Sequence, residues 1–123
     1  MQTADILLIV DDHEGIRGLL KETCLLLGYE VLTAATGKEA LELTRSNNIK
    51  AALVDMEMPG LNGLETIERM CRIAPQIKAV VMTGYGGSLP LEDALKHGAC
   101  AMIKKPFDLE GIKSLLERIL QPS

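Results

Sequence analysis

The chain is nearly free of aromatic side chains, with one Phe, two Tyr and no Trp among its 123 residues. Proteins that bind single-stranded nucleic acid stack bases on aromatic rings, and non-specific binding to duplexes depends on clustered Lys and Arg. Here the formal net charge is −4. We therefore expect no direct nucleic-acid binding by this chain.

Cysteines are few and odd in number: Cys24, Cys71 and Cys100. They lie far apart in apolar surroundings, and their spacing matches neither a zinc site nor a redox motif. The sequence predicts three buried, reduced thiols.

The sequence predicts neither a targeting segment nor a membrane-spanning segment. Residues 1–5 carry no basic group, and the apolar run that follows is too short for a signal peptide or a membrane span. A length of 123 residues with 47% hydrophobic content is sufficient for one domain with its own core. We expect a single domain over residues 1–123, a cytoplasmic location and no membrane contact.

Four short apolar runs are each followed directly by polar side chains. The runs and the residues after them are 6–10 with Asp11 and Asp12, 51–54 with Asp55, 79–82 with Thr83, and 100–103 with Lys104 and Lys105. Open parallel sheets place their binding sites at the carboxyl ends of the strands. The pattern therefore predicts one polar site at that edge of a sheet.

Amphipathic segments alternate with these runs, and a fifth strand is predicted at residues 30–34. The first helix, at 14–27, is expected to bury Ile16, Leu19, Leu20, Thr23 and Leu27. Later helices are predicted at about 36–46, from Asn62 to Pro75, just before Gly98, and from Asp108 to about Leu120. The alternation predicts a doubly wound five-stranded parallel sheet with helices on both faces, in a flavodoxin-like topology.

Three carboxylates, those of Asp11, Asp12 and Asp55, are expected to converge at adjacent strand ends. Like charges in close proximity raise one another's pKa and cost folding energy unless a cation joins them. Lys105 brings one positive charge, so three negative charges and one positive leave −2, and oxygen ligands that retain several waters suit Mg²⁺. Neutralising Asp11 or Asp12 should then stabilise the metal-free protein by about 1 kcal/mol. For Asp12 alone, a helix N-cap is the simpler alternative.

Taken together, these motifs resemble the receiver domain of two-component response regulators over essentially the whole chain. The matching residues are Asp11-Asp12, Asp55, Met58-Pro59-Gly60 with Gly63, Thr83-Gly84, and Lys105-Pro106-Phe107. The resemblance implies that Asp55 is phosphorylated. It implies that Mg²⁺ is held by Asp12, Asp55 and the Glu57 backbone carbonyl, with Asp11 acting largely through a water.

The resemblance assigns the remaining roles as well. Lys105 and Thr83 would contact phosphoryl oxygens, and the backbone N–H groups of Met56 and Gly84 would complete the phosphate site. The position that often holds an aromatic switch residue is Met102, so Thr83 and Met102 are the expected switch pair. The glycine-rich loop at 84–87 is an alternative switch. A cis Lys105–Pro106 peptide bond is also implied.

By the same resemblance, the partners are a sensor histidine kinase or a histidine phosphotransfer protein and a downstream effector, and a phosphorylation-dependent dimer is compatible with it. The chain would be a signalling component and not an enzyme with an external substrate, either free-standing or part of a longer regulator. Three alternatives compete: a haloacid dehalogenase-type phosphohydrolase, a flavin-binding module and a pseudo-receiver that takes no phosphate. The phosphohydrolase would require its nucleophile on strand one. The flavin-binding module would require a phosphate-binding loop at the position that the acidic pair occupies.

Overall fold

The computed structural model describes residues 5–84, 89–105 and 108–120. The strands are β1 (Ile6–Val10), β2 (Glu30–Ala34), β3 (Ile49–Asp55), β4 (Lys78–Thr83) and β5 (Ala101–Lys104). The helices are α1 (Glu14–Leu26), α2 (Gly37–Ser46), α3 (Gly63–Ile73), α4 (Leu91–Lys96) and α5 (Leu109–Ile119).

All five strands are parallel, in the order β2-β1-β3-β4-β5. The chain leaves β1 toward one edge of the sheet and then crosses back to β3 on the other side of β1. The ends of β1 and β3 thus form the crevice where the winding direction reverses, which is where open sheets bind ligands. The predicted doubly wound sheet is confirmed.

The sheet separates two apolar layers because successive strand residues face opposite sides. On one side, Leu7, Ile9, Leu53 and Met82 pack with α1 and α5. On the other side the core is formed with α2, α3 and α4, and its buried members on the three central strands are Leu8, Val10, Ile49, Ala52, Val54, Ala79 and Val81. Burial on both faces explains why these strands are uninterrupted apolar runs rather than alternating ones.

Side-chain caps set the starts of α1, α2, α3 and α5 near the positions predicted from sequence. Asn62 and Glu65 form a reciprocal capping box at the start of α3. Asp108 accepts a hydrogen bond from the Gly111 N–H at 2.8 Å. The cap of α1 is His13 and not Asp12, because the His13 ring accepts from the Ile16 N–H. Asp12 is therefore free of the capping role.

The predicted buried face of α1 was wrong at Leu19, which is 62% exposed. The buried positions of α1 are Leu20 and Cys24, one turn apart, so the face turned to the sheet is narrower than the sequence suggested. Leu19 instead borders an open groove of about 280 Å³ between α1 and α5.

The prediction of three buried thiols holds for Cys24 alone. All three cysteines are free, but Cys71 is half-buried and Cys100 is exposed. Burial raises the pKa of the Cys24 thiol to about 11. Cys100 is exposed because it precedes β5, the edge strand, and lies outside the central layers.

Within the described ranges, no helix has both the length and the apolar character needed to cross a bilayer. Two expectations fall outside those ranges: the switch assigned to the glycine-rich loop and the cis bond at Pro106. Residues 85–88, 106 and 107 are not described.

Candidate functional site

The site lies at the carboxyl ends of β1, β3, β4 and β5. Asp11 directly follows β1, and its N–H extends the ladder by donating to the Ala34 carbonyl at 3.1 Å. Asp55 is the last residue of β3, and Thr83 is the last residue of β4. The parallel register therefore brings together side chains that are far apart in sequence.

The three predicted carboxylates converge. Asp11, Asp12 and Asp55 each offer an oxygen, and these oxygens lie within 4.8 Å of one another. Asp11 is fully buried and Asp55 is 6% exposed, whereas Asp12 is exposed. The cluster is thus a pocket with two buried acidic groups and a third at its mouth.

Lys105 enters this pocket from the end of β5. Its Nζ lies 2.9 Å from Asp11 Oδ2 and 3.3 Å from Asp55 Oδ1. Its backbone N–H donates to the Thr83 carbonyl at 2.8 Å and so fixes where the side chain starts. Burial lowers the pKa of Lys105, but the hydrogen bonds and charges of Asp11 and Asp55 outweigh burial and raise it. The ammonium therefore stays charged at neutral pH.

The ion pair with Lys105 does not fully compensate the negative charge of Asp55. Burial raises the pKa of Asp55, and the charge of Asp11 raises it further. Lys105 and a hydrogen bond from the Glu57 backbone N–H pull it down, yet the net direction is upward. A cation that joined the carboxylates would favour ionised Asp55.

Asp11 is occupied by protein contacts on every polar atom. Its Oδ1 accepts from the His13 N–H at 2.8 Å and its Oδ2 from Lys105. Its backbone carbonyl accepts from Arg17 Nη1 at 2.8 Å. Arg17 was not among the residues predicted from sequence, where its only signal is a cation near the start of the helix that follows the acidic pair. Asp11 is held as part of the framework, and Asp12 is the exposed member of the pair.

Thr83 is buried at 3% exposure. Among the residues that the structure describes, its Oγ1 is the one buried side-chain oxygen or nitrogen without a hydrogen-bond partner. Leaving a buried hydroxyl unpaired costs about 1–3 kcal/mol. Such a group is suited to a partner that arrives with a ligand, and Gly84 follows it at the same edge.

The connection from β3 to α3 is packed tightly against Asp55. A Cβ on Gly63 would lie 2.4 Å from the Asp55 carbonyl oxygen, so only glycine fits there. The Gly63 N–H donates to the Met56 carbonyl at 2.9 Å. The Met56 N–H, a predicted phosphate ligand, donates to the Met82 carbonyl at 2.8 Å. Its predicted role therefore requires that this bond be shared or broken.

Met102 lies on β5 opposite Val81 of β4. Val81 and Thr83 are two residues apart and face the same side of the sheet, so Met102 lies diagonally across from Thr83. Its side chain is half-buried against the layer that contains α4. Thr83 and Met102 thus share one face.

The donor set fits a hard divalent cation. It consists of carboxylate oxygens, with neither thiol nor imidazole in the cluster. Two of its members are buried, and Lys105 neutralises one of three negative charges. Such all-oxygen sites are typical for Mg²⁺ or Ca²⁺.

Comparison with known proteins agrees with this geometry. The chain is 36% identical to sporulation initiation phosphotransferase F of Bacillus subtilis, over 93% of this chain and 92% of that protein. It is 31% identical to the regulatory protein AtoC of Escherichia coli, over 98% of this chain but only 26% of that longer protein.

A solved structure, the response regulator protein TrrA from Thermotoga maritima in complex with Mg²⁺-BeF, superposes with a TM-score of 0.85. It is 32% identical, with 94% of this chain and 99% of that chain covered. The sequence model of the response regulator receiver domain matches residues 7–117. Fold, site and sequence agree, and the chain belongs to the receiver domain family of two-component response regulators.

Proposed function

We propose that this receiver domain, formed by residues 1–123, accepts a phosphoryl group on Asp55 in a Mg²⁺-dependent phosphorelay step. One observation carries the proposal. The Asp55 carboxylate is buried at a strand end, 3.3 Å from Lys105 Nζ and next to two further carboxylates. Purely structural needs do not explain three acidic groups and one lysine in this place.

In the proposed reaction, an Asp55 carboxylate oxygen attacks the phosphorus of a phosphohistidine. A P–O bond forms, the P–N bond breaks, and the imidazole nitrogen keeps the electron pair and takes up a proton. Because phosphoryl transfer spreads negative charge over three oxygens, the protein contributes mainly positioning and charge neutralisation.

Mg²⁺ would be held by Asp12, Asp55 and the backbone carbonyl of Glu57. Asp11 would lie nearby, with its carboxylate fixed by hydrogen bonds. When bound, the ion supplies positive charge for the phosphoryl oxygens. Lys105 adds a second cation, already positioned by Asp11. The complex of the related TrrA with Mg²⁺-BeF supports this part of the proposal.

The Thr83 hydroxyl would donate a hydrogen bond to a phosphoryl oxygen. The backbone N–H groups of Gly84 and Met56 would complete the site. Because Met102 shares a face with Thr83, movement of Thr83 would be transmitted through Met102 toward α4. The altered surface around β4 and β5 would then be read by a downstream effector. The phosphodonor would be a sensor histidine kinase or a histidine phosphotransfer protein, in line with the name of the B. subtilis relative.

The test is to incubate the protein with acetyl phosphate and Mg²⁺ and to measure its mass by mass spectrometry. We expect a gain of one phosphoryl group, lost in Asp55→Asn and kept in Asp93→Asn, a matched change on the exposed surface of α4. Labelling that persists in Asp55→Asn would refute the assignment. No labelling of the wild type would favour the pseudo-receiver.

A further inference from the structure

Arg17 makes a contact that the proposed reaction leaves unexplained. It lies in the first turns of α1, where it is half-buried, and its Nη1 donates to the Asp11 backbone carbonyl at 2.8 Å. A hydrogen bond from a charged donor at this distance is stronger than one between neutral groups. It connects α1 to the peptide bond between Asp11 and Asp12.

That peptide lies just beyond the last residue of β1. The Asp11 N–H is still in the ladder, bonded to Ala34, and its carboxylate is fixed by His13 and Lys105. With the carbonyl held by Arg17 as well, rotation of the peptide plane would break a charge-assisted hydrogen bond. The direction of the peptide plane sets where the Asp12 side chain begins.

We propose that Arg17 is a positioning residue for the metal site, acting through the Asp11–Asp12 peptide to keep the Asp12 carboxylate within reach of Asp55. The inference rests on the proposed Mg²⁺ role of this cluster. Arg17 would touch neither the ion nor the phosphoryl group. Its contribution is to orient a ligand that is exposed and would otherwise sample other directions.

A competing role makes the opposite prediction. Arg17 is also a cation near the acidic pocket, so its positive charge would repel a Mg²⁺ ion bound there. If charge were its only effect, its removal would strengthen Mg²⁺ binding. If it positions Asp12, its removal weakens Mg²⁺ binding even though the pocket becomes more negative. The sign of the change therefore separates the two roles.

The experiment measures Mg²⁺ affinity by titration calorimetry for the wild type, Arg17→Met, Arg17→Lys and the control Lys21→Met. Lys21 is an exposed residue of the same helix, and its replacement removes the same charge. Loss of an outer contact to a metal ligand typically weakens binding by about 10–100-fold. We expect a loss of about tenfold in Arg17→Met, partial recovery in Arg17→Lys and wild-type or slightly tighter binding in Lys21→Met.

A second readout separates positioning from simple structural support. The rate of phosphorylation by acetyl phosphate is followed as Mg²⁺ is raised. In Arg17→Met the half-saturating Mg²⁺ concentration should rise, while the rate at saturation returns toward the wild-type value. Unchanged Mg²⁺ affinity together with a lower Tm would overturn the inference, as would tighter binding in Arg17→Met.

The two proposals fail in different ways. Absence of Mg²⁺ binding by the wild type would overturn the proposed function and this inference together. Wild-type binding that is equally tight in Arg17→Met would overturn the inference alone. If Arg17→Met does not fold, Arg17→Gln replaces it: the Gln side chain is uncharged and two atoms shorter than that of Arg, so it loses the bond to the Asp11 carbonyl and the same fall in Mg²⁺ affinity is expected.

Discussion

Asp11 and Asp12 are adjacent and carry the same charge, yet their surroundings differ. Asp11 is fully buried and accepts hydrogen bonds from the His13 N–H and from Lys105. Asp12 is exposed at the pocket mouth. A charge count alone predicts that neutralising either residue relieves repulsion, but the contacts of Asp11 reverse that expectation for Asp11.

In metal-free protein, Asp11→Ala should lower the free energy of unfolding by about 2 kcal/mol, because the partly buried hydrogen bonds from the His13 N–H and from Lys105 Nζ lose their acceptor. Asp12→Ala should raise it, by at most about 1 kcal/mol, because repulsion is relieved without loss of a buried contact. Urea denaturation in a chelating buffer measures both changes. Equal effects of the two substitutions would show that burial does not distinguish them.

The stability difference between Asp55→Asn and the wild type should depend on pH. The pKa of Asp55 is raised in the fold by burial and by Asp11, so the folded state holds a proton more tightly than the unfolded chain. The contribution of Asp55 to the free energy of unfolding is therefore fully present below pH 3.8, the pKa of this group in the unfolded chain. It is lost as the pH rises through the pKa of Asp55 in the folded state.

Asp55→Asn should accordingly be more stable than the wild type at pH 7, by about 1 kcal/mol. Its advantage should shrink as the pH falls toward 3.8. Denaturation curves of both proteins at several pH values test this. An advantage that grows on acidification would contradict the raised pKa.

At the scale of elements, the close contact between α3 and β3 lies at Asp55, the proposed phosphoacceptor. A Cβ at Gly63 would lie 2.4 Å from the Asp55 carbonyl oxygen and 2.7 Å from Met56 Cα, both backbone atoms that cannot turn aside. Gly63→Ala should therefore push the start of α3 away from Asp55, with a loss of about 1–3 kcal/mol in stability and slower phosphorylation.

Gly18→Ala is the matched control for that substitution. Gly18 lies on the exposed face of α1, and nothing would lie within 4 Å of an added Cβ. Because alanine has a higher helix propensity than glycine, this variant should gain about 1 kcal/mol and phosphorylate normally. Thermal melts and the acetyl phosphate assay compare the two. Normal phosphorylation in a folded Gly63→Ala variant would show that the contact does not position Asp55.

At the scale of the whole molecule, the site draws residues from the ends of four strands, so a ligand there should stabilise the entire sheet. A ligand that binds only the folded state at about 100 times its Kd adds about 2.7 kcal/mol. Mg²⁺ with beryllofluoride should therefore raise the Tm clearly above the value with Mg²⁺ alone. The additional rise should be absent in Asp55→Asn; an equal rise there would locate the beryllofluoride elsewhere.

The sequence by itself determined the fold and the list of candidate site residues. Four apolar runs, each followed by polar side chains, predicted a parallel sheet with one polar edge, since burial on both faces demands uninterrupted apolar strands. Cap residues such as Asn62 and Glu65 located helix starts, because capping depends on neighbours only a few residues apart.

The tertiary structure alone decided how the members of the site differ. The packing of whole helices and strands decides whether Asp11 or Asp12 is buried, whether Leu19 faces the sheet and whether Cys100 is exposed. A local sequence pattern does not encode how these elements pack. The contact of Arg17 with the Asp11 carbonyl joins a long side chain to a backbone atom six residues away. No pattern of residue types specifies such a bond, because its acceptor belongs to the backbone, which every residue shares.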